Sequence, residues 1–157
     1  MDASYVNAFV QGAQRVFAAV CQETPGLGKV FVKPKPYSPS QVSVAVVITG
    51  AIEAEAVFSM TEAVGCFIAS RMMMGMPVPS LQDEMAKSAV LELSSIISGN
   101  VATIFEGKEL AIKIQPPVLR FNAAAGDFLL ANKVPRIVCV PLLFQDGHEF
   151  QVDVLMG

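Results

Sequence analysis

The chain has 157 residues, of which 53% are hydrophobic and only 16% are charged. Globular domains carry about 25% charged residues, so this composition excludes an intrinsically disordered chain, a coiled coil and a collagen. The formal net charge is −3, and the 11 Lys and Arg residues form no basic cluster, which argues against nucleic acid as a partner. The length predicts one domain, or two intimate halves that share a core, and we take residues 1–157 as a single domain.

Cysteine usage and the absence of long apolar runs indicate where the protein works. Cys21, Cys66 and Cys139 are odd in number and widely spaced, which fits neither a disulfide framework nor a zinc site and favours a reducing compartment. No leader sequence is visible at the N-terminus, and no uncharged run resembles a transmembrane helix. We therefore predict a cytoplasmic protein without membrane insertion. Its surplus of apolar side chains predicts a homodimer.

The first third of the chain predicts a helix followed by a hairpin. Apolar residues spaced by threes and fours predict a helix from Ser4 to about Gln22. The segment from Pro25 to Pro39, rich in proline, predicts an extended connection. Alternating side chains over Gln41–Thr49 and Ile52–Met60 then predict two antiparallel strands joined by a tight turn.

Two further helices are predicted before the chain becomes rich in strands. Thr61 can cap a helix from Glu62 to about Met74. A capping-type pattern, Ser80-x-x-Asp83, opens a third helix that runs to about Glu106. Predicted strands follow over Leu110–Gln115, Val118–Phe121, Asp127–Asn132, Arg136–Gln145 and Glu149–Met156.

The order of these elements predicts the fold class. Asp146-Gly147 is typical of a two-residue turn and joins the last two strands into a hairpin. Helices followed by consecutive strands indicate an α+β fold, in which an antiparallel β-sheet carries long helices packed on one face.

The third helix divides into an apolar face and a polar face. Its core stripe consists of Ala86, Val90, Leu93, Ile97, Val101 and Ile104. On the opposite side, Ser88, Glu92, Ser95 and Gly99 follow the spacing i, i+4, i+7, i+11, so they project in one band. Any amphipathic helix has a polar face. This one is small, lightly charged and flattened by a glycine, which favours close approach of another protein.

The same residues carry a resemblance to a known family. The relevant runs are Tyr5–Phe9, Phe58–Ala63, Ile68–Met72 with Gly75, and Ser88–Asn100. Over nearly the whole chain they resemble the CheC/CheX/FliY phosphatases of bacterial chemotaxis. CheC and FliY proteins carry a second copy of the motif. The first helix here has only Gln11, Gln14 and Arg15 at the corresponding place, so the chain is similar to CheX-type members with one motif-bearing helix.

The resemblance implies a CheC-like fold, pairing of two subunits through their sheets, and a phosphatase reaction. The family motif is Asp/Ser-x3-Glu-x2-Asn, and Ser88 and Glu92 match its first two positions. The motif helix would enter the active site of a phosphorylated CheY-type response regulator, which supplies its own Mg²⁺, so no cofactor of this chain is implied. The glutamate would pair with a regulator lysine, and the asparagine would orient the water that attacks the aspartyl phosphate.

Ser95 stands where the family has asparagine. A serine hydroxyl is shorter than an amide and lacks its paired carbonyl and NH₂ groups, and loss of one positioning hydrogen bond costs about 10² to 10³ in rate. Asn100 cannot replace it, because it projects about 100° away from the polar face. Three interpretations follow: a slow phosphatase, a phosphatase whose Ser95 works with an unusual partner, or a catalytically inactive binder that docks through Glu92.

Three other features have both a structural and a functional interpretation. The run Met72-Met73-Met74-Gly75-Met76 fits an adaptable contact surface or, by preference, soft core packing. Glu53 and Glu55 fit an acid–base pair or, by preference, a solvated strand edge. His148 is predicted to be a surface turn residue, because one histidine without a nucleophile pattern cannot complete a triad.

Overall fold

In the computed structural model, which describes residues 3–157, three α-helices and eight strands are arranged in one α+β unit. The helices are α1 (Ala3–Val20), α2 (Glu62–Met72) and α3 (Glu84–Gly107). The strands are β1 (Gly26–Leu27), β2 (Phe31–Lys33), β3 (Val42–Gly50), β4 (Ala54–Met60), β5 (Ile112–Ile114), β6 (Val118–Phe121), β7 (Ile137–Leu143) and β8 (Glu149–Met156). A short 3-10 helix lies between β6 and β7, at Ala125–Asp127.

All strands join one antiparallel sheet. Its order is β1-β7-β8-β4-β3-β5, with β2 also paired to β7 and β6 also paired to β3. The predicted hairpin is present, because Val44 lies opposite Phe58 and Ile48 opposite Ala54 across β3 and β4. The predicted α+β class, with an antiparallel sheet and helices on one face, is therefore confirmed.

The main core lies between the helices and one face of the sheet. Aromatic rings meet edge-on there: the Phe17 and Phe150 centroids are 4.9 Å apart. The helices α1 and α3 pack so closely that a Cβ atom on Gly12 would lie 2.7 Å from Cγ2 of Val101. Gly12 is therefore needed for this close approach, which fixes the position of α3 on the protein.

The buried side of α3 follows the predicted apolar stripe. Ala86, Val90, Leu93, Ile97 and Val101 are buried, Ile104 is half-buried, and Phe105 is buried beside it. By length and composition, the segment Glu84–Glu106 could also span a membrane. Its apolar side chains pack instead against the core of the protein, as in the core helix of a globular domain.

The opposite face of the sheet is covered by loops and contains buried charged groups. Oδ2 of Asp153 accepts hydrogen bonds from Nζ of Lys33 at 2.7 Å and from the Tyr37 hydroxyl at 2.5 Å. Glu55 accepts from the backbone N–H groups of Leu129, at 3.2 Å, and Leu130, at 2.9 Å. Burial and the neighbouring Asp153 carboxylate raise the pKa of Tyr37, which keeps the phenol protonated.

Two sequence predictions on this face are wrong. The predicted strand Asp127–Asn132 is a 3-10 helix and turns. Its N–H groups at positions 129 and 130 bind the Glu55 carboxylate instead of a neighbouring strand, and Phe128, Ala131 and Val134 turn inward. Glu55 is 2% exposed, so it does not belong to a solvated edge; only Glu53 is exposed there.

Element ends also differ from the predictions, for local reasons. Asp83, whose carboxylate accepts from the N–H of Ala86 at 3.1 Å, caps α3 in place of Ser80. The segment predicted as an extended connection contains the short edge strands β1 and β2. The last hairpin has a three-residue turn, because the N–H of Phe144 bonds to the carbonyl of His148 at 2.9 Å, and Gly147 takes a positive φ of 93°.

Candidate functional site

The predicted polar residues of α3 share one exposed side of the helix. Ser88, Glu92, Ser95 and Gly99 are all exposed, while the residues between them face the core. Asp83 sets where this helix begins, and its packing against α1 sets how it is rotated. We call these four residues the polar face of α3.

Neighbouring polar residues of α3 are engaged within the helix itself. The hydroxyls of Ser94 and Ser98 are buried and donate to the carbonyls of Val90, at 3.0 Å, and Ser94, at 2.8 Å. The Asn100 amide is half-buried and donates to the Ile96 carbonyl at 3.2 Å. The Asn100 amide is therefore engaged with its own helix backbone; that it does not replace the family asparagine stays a prediction.

Gly99 leaves the end of the polar face flat. Apart from Gly99 itself, its two chain neighbours and the adjoining backbone of α3, no atom of residues 3–157 lies within 4 Å of the place where its Cβ would be. Packing within residues 3–157 therefore does not require a glycine at this position. The space beside Gly99 is open to any molecule that approaches α3. A flat position of this kind lets another backbone come close.

Two depressions meet at Glu92, and Met72 also lines both of them. The larger depression, about 700 Å³, lies beside the ends of α1 and α2 and includes Arg71 and Met74. The smaller depression, about 330 Å³, lies toward the start of α3 and includes Met85 and Ser88. Glu92 therefore projects between two concave surfaces, an arrangement the sequence pattern did not predict.

The charges around Glu92 leave its carboxylate available to another molecule. Arg71 shares the larger depression, but its guanidinium donates to the Cys21 carbonyl at 2.9 Å and lies 4.9 Å from the Phe67 ring centre. Among residues 3–157, no ion pair joins Glu92 to a cation. The exposed carboxylate is thus an anionic anchor with no partner in the described part of the chain.

The thiol of Cys21, which lies between two residues that line the larger depression, is not set up as a nucleophile. Burial raises the pKa of Cys21 to about 11, against the opposing effect of Arg71. A thiol with this pKa is protonated at neutral pH and is a weak nucleophile. Within residues 3–157, no group of three or more His, Cys, Asp or Glu side chains is placed to hold a metal ion.

The sequence identified the polar face but not the surface around it. Met74 and Met85, which line the depressions, are 97% and 63% exposed. The methionine run was a visible signal, but the preferred interpretation was core packing. That interpretation is right for Met72 and Met73, which pack against the core, and wrong for Met74 and Met76, which are exposed.

The fold recurs in solved structures of chemotaxis proteins. The chain is similar to the chemotaxis protein CheX of Desulfovibrio desulfuricans, with a TM-score of 0.80, 18% identity and coverage of 98% of this chain and 99% of that one. It also matches a chain of the CheX–CheY–BeF3–Mg²⁺ complex from Borrelia burgdorferi, with a TM-score of 0.77, 24% identity and coverage of 97% of both. The fold is therefore of the CheC and CheX class.

Sequence comparison identifies the family. The sequence model of the family described as chemotaxis phosphatase CheX matches residues 42–126. The protein named CheY-P phosphatase CheX of Thermotoga maritima is 30% identical over 119 residues, which cover 76% of each chain. This chain belongs to the CheX family, which confirms the resemblance seen in its motif.

Proposed function

We propose that this protein removes the phosphoryl group from the aspartyl phosphate of a CheY-type response regulator, and that it docks through the polar face of α3. The observation that carries the proposal is the exposed Glu92 carboxylate, which lies between two depressions and has no ion pair among residues 3–157. The Thermotoga relative is named a CheY-P phosphatase, and the Borrelia structure is a complex of CheX with CheY, BeF3 and Mg²⁺. Both support a regulator of this kind as the partner.

In this proposal, Glu92 and Ser95 have separate roles. Glu92 pairs with a lysine of the regulator and anchors the helix. Ser95 lies three residues further along, which is about 4.5 Å along the axis on the same side of α3. Its hydroxyl holds the water that attacks the phosphorus, and the regulator supplies the Mg²⁺. The reaction then depends on positioning, as expected for phosphoryl transfer through a loose transition state.

A second function, binding of the phosphorylated regulator without hydrolysis, is favoured by Ser95 itself. The side chain at this position is short and offers one hydroxyl, where the family resemblance implies an amide with separate donor and acceptor atoms. Water held by serine would lie further from the phosphorus. The docking residues Ser88, Glu92 and Gly99 are unaffected by this change, so binding can persist where hydrolysis is lost.

The lifetime of the phosphoryl group on the regulator separates the two functions. It is measured without this protein, with wild type, and with the Ser95→Asn and Ser95→Ala variants. Wild-type acceleration that is lost in Ser95→Ala supports a phosphatase that uses serine. No effect of wild type, but acceleration by Ser95→Asn, supports the inactive binder. An unchanged lifetime with every variant, despite retained binding, would contradict a role of position 95 in the reaction.

We also propose that residues 1–157 act as one CheX-like domain, and that two copies pair in the cytoplasm. Exposed apolar side chains at the sheet edge, Leu27, Phe31 and Val32, support pairing, because a partner would cover them. Light scattering at micromolar concentration tests this proposal. A monomer mass would contradict it.

A further inference from the structure

Met74 is the most exposed of the large apolar side chains in residues 3–157, at 97%. It lines the larger depression together with Glu92. Met85, which is 63% exposed, lines the smaller depression on the other side of Glu92. We call Met74 and Met85 the methionine rim. Apolar side chains therefore flank the anionic centre of the proposed docking site on both sides.

The backbone at Met74 is in an unfavourable conformation. Helix α2 is capped by Met73, and the N–H of Gly75 bonds back to the Ser70 carbonyl at 2.8 Å. This places Met74 at the position after the cap with a φ of +59°. Glycine is the usual residue there, because a Cβ atom is strained in the left-handed region. The chain thus holds a large side chain where glycine would be less strained.

Packing within this chain does not explain why a methionine occupies position 74. Met72 and Met73 contact the hydrophobic core, but the Met74 side chain is almost fully in solvent. A strained backbone with an exposed apolar side chain, next to a candidate site, indicates that the side chain contacts another molecule. Methionine suits such a contact, because it is unbranched, flexible and polarisable.

The charges beside the rim indicate what the other molecule presents. Glu84, in the smaller depression, forms an ion pair with Lys87 at 3.5 Å, and Arg71, in the larger one, donates to the Cys21 carbonyl and lies over the Phe67 ring. Glu92 lines both depressions and has no ion pair among residues 3–157. The rim therefore borders one unpaired carboxylate, that of Glu92. A complementary partner carries a cationic group at the centre of its contact surface and apolar side chains around it.

We propose that the methionine rim is the apolar half of the regulator-docking surface, and that Met74 and Met85 are desolvated when an activated CheY-type response regulator binds to Glu92. This inference rests on the proposed function, since it assigns the rim to the same partner. The rim then contributes affinity, whereas Glu92 contributes the charged anchor. The strain at Met74 is retained because its side chain is useful only in the complex.

The test is a binding titration against a CheY-type regulator activated with BeF3⁻ and Mg²⁺, combined with thermal unfolding of each variant. Met74→Gly is expected to weaken binding about tenfold, because the apolar area of one side chain is lost. The same change is expected to raise the unfolding temperature, because it relieves the positive φ. Met85→Ala is expected to weaken binding to a similar degree without this gain in stability.

Met76→Ala is the matched control, because Met76 is 55% exposed and close in sequence but is absent from the lining of both depressions. It should bind as wild type does. If Met74→Gly and Met85→Ala bind the regulator with wild-type affinity while Glu92→Ala has lost binding, the proposal for the methionine rim is overturned. The proposed function is then retained. A lower unfolding temperature of Met74→Gly would also overturn the proposal for the methionine rim. No binding of the wild-type protein to the activated regulator would overturn both.

Discussion

The carboxylates on the two sides of this protein have opposite environments, buried on one side and exposed on the other. On the outer face of the sheet, Asp153 and Glu55 are buried, and each accepts two hydrogen bonds from its own chain. On α3, Glu92 is exposed and has no ion pair with a cation of residues 3–157. A buried carboxylate with internal partners maintains the fold, whereas an exposed one between two depressions is available to another molecule.

This difference predicts that substitutions on one side change stability, whereas substitutions on the other side change function. Changes at the buried carboxylates should lower the free energy of unfolding without specific effects on regulator binding. Changes at Glu92 should leave the fold intact and affect only the regulator. A carboxylate whose substitution changes both stability and regulator binding, or changes neither, would contradict this comparison.

Asp153→Ala is expected to have the largest effect on stability, about 3 to 5 kcal/mol, because it leaves the buried Lys33 ammonium without its counter-charge. Denaturant unfolding at neutral pH measures this loss. The triple variant Lys33→Met, Tyr37→Phe and Asp153→Leu is expected to recover most of it, because apolar side chains then replace both the buried ion pair and the hydroxyl that donates to Asp153. A loss below about 1 kcal/mol for the single variant would mean that solvent reaches the pair.

Glu55→Gln is expected to cost less, about 1 to 3 kcal/mol, because the amide can no longer accept from both N–H groups as the carboxylate does. Hydrogen exchange at Leu129 and Leu130 should accelerate more than at other amides. Glu53→Gln is the control, since Glu53 is exposed on the same segment. Equal effects of the two substitutions would show that Glu55 does not hold this loop.

Gly99→Ala is expected to have the smallest effect, a gain of about 0.5 to 1 kcal/mol, because the helix interior favours alanine and the space beside Gly99 is open. The same substitution at Gly12 should instead cost about 1 to 3 kcal/mol, because its Cβ would lie 2.7 Å from Val101. Chemical denaturation of both variants checks the two signs. Loss of stability in Gly99→Ala would show that the polar face is packed rather than open.

Local sequence patterns predicted the helical half of this structure well. The spacing in α3 separates its core stripe from Ser88, Glu92, Ser95 and Gly99, because a helix places residues by rotation alone. The bounds of β6 and β8 were predicted as Val118–Phe121 and Glu149–Met156, and they agree with the structure. Alternation within one strand is again a local signal.

Features that depend on distant residues were not predicted. Glu55 was expected to be solvated. That prediction failed because the partners of Glu55 are backbone groups 74 and 75 residues away. The depressions beside Glu92 combine the ends of α1 and α2 with α3, so no single segment encodes them. The exposure of Met74 follows from the turn after α2, and the methionine run alone did not distinguish it from its buried neighbours.

The affinity of the activated regulator for Glu92→Ala, compared with Glu106→Ala, tests the central claim most directly. Glu106 is an exposed carboxylate of the same helix, about 21 Å further along its axis, so the two variants lose the same charge at different places. We expect Glu92→Ala to lose binding about a hundredfold or more, Glu106→Ala to bind as wild type does, and both to unfold at the wild-type temperature. Wild-type affinity of Glu92→Ala would contradict docking through the polar face of α3.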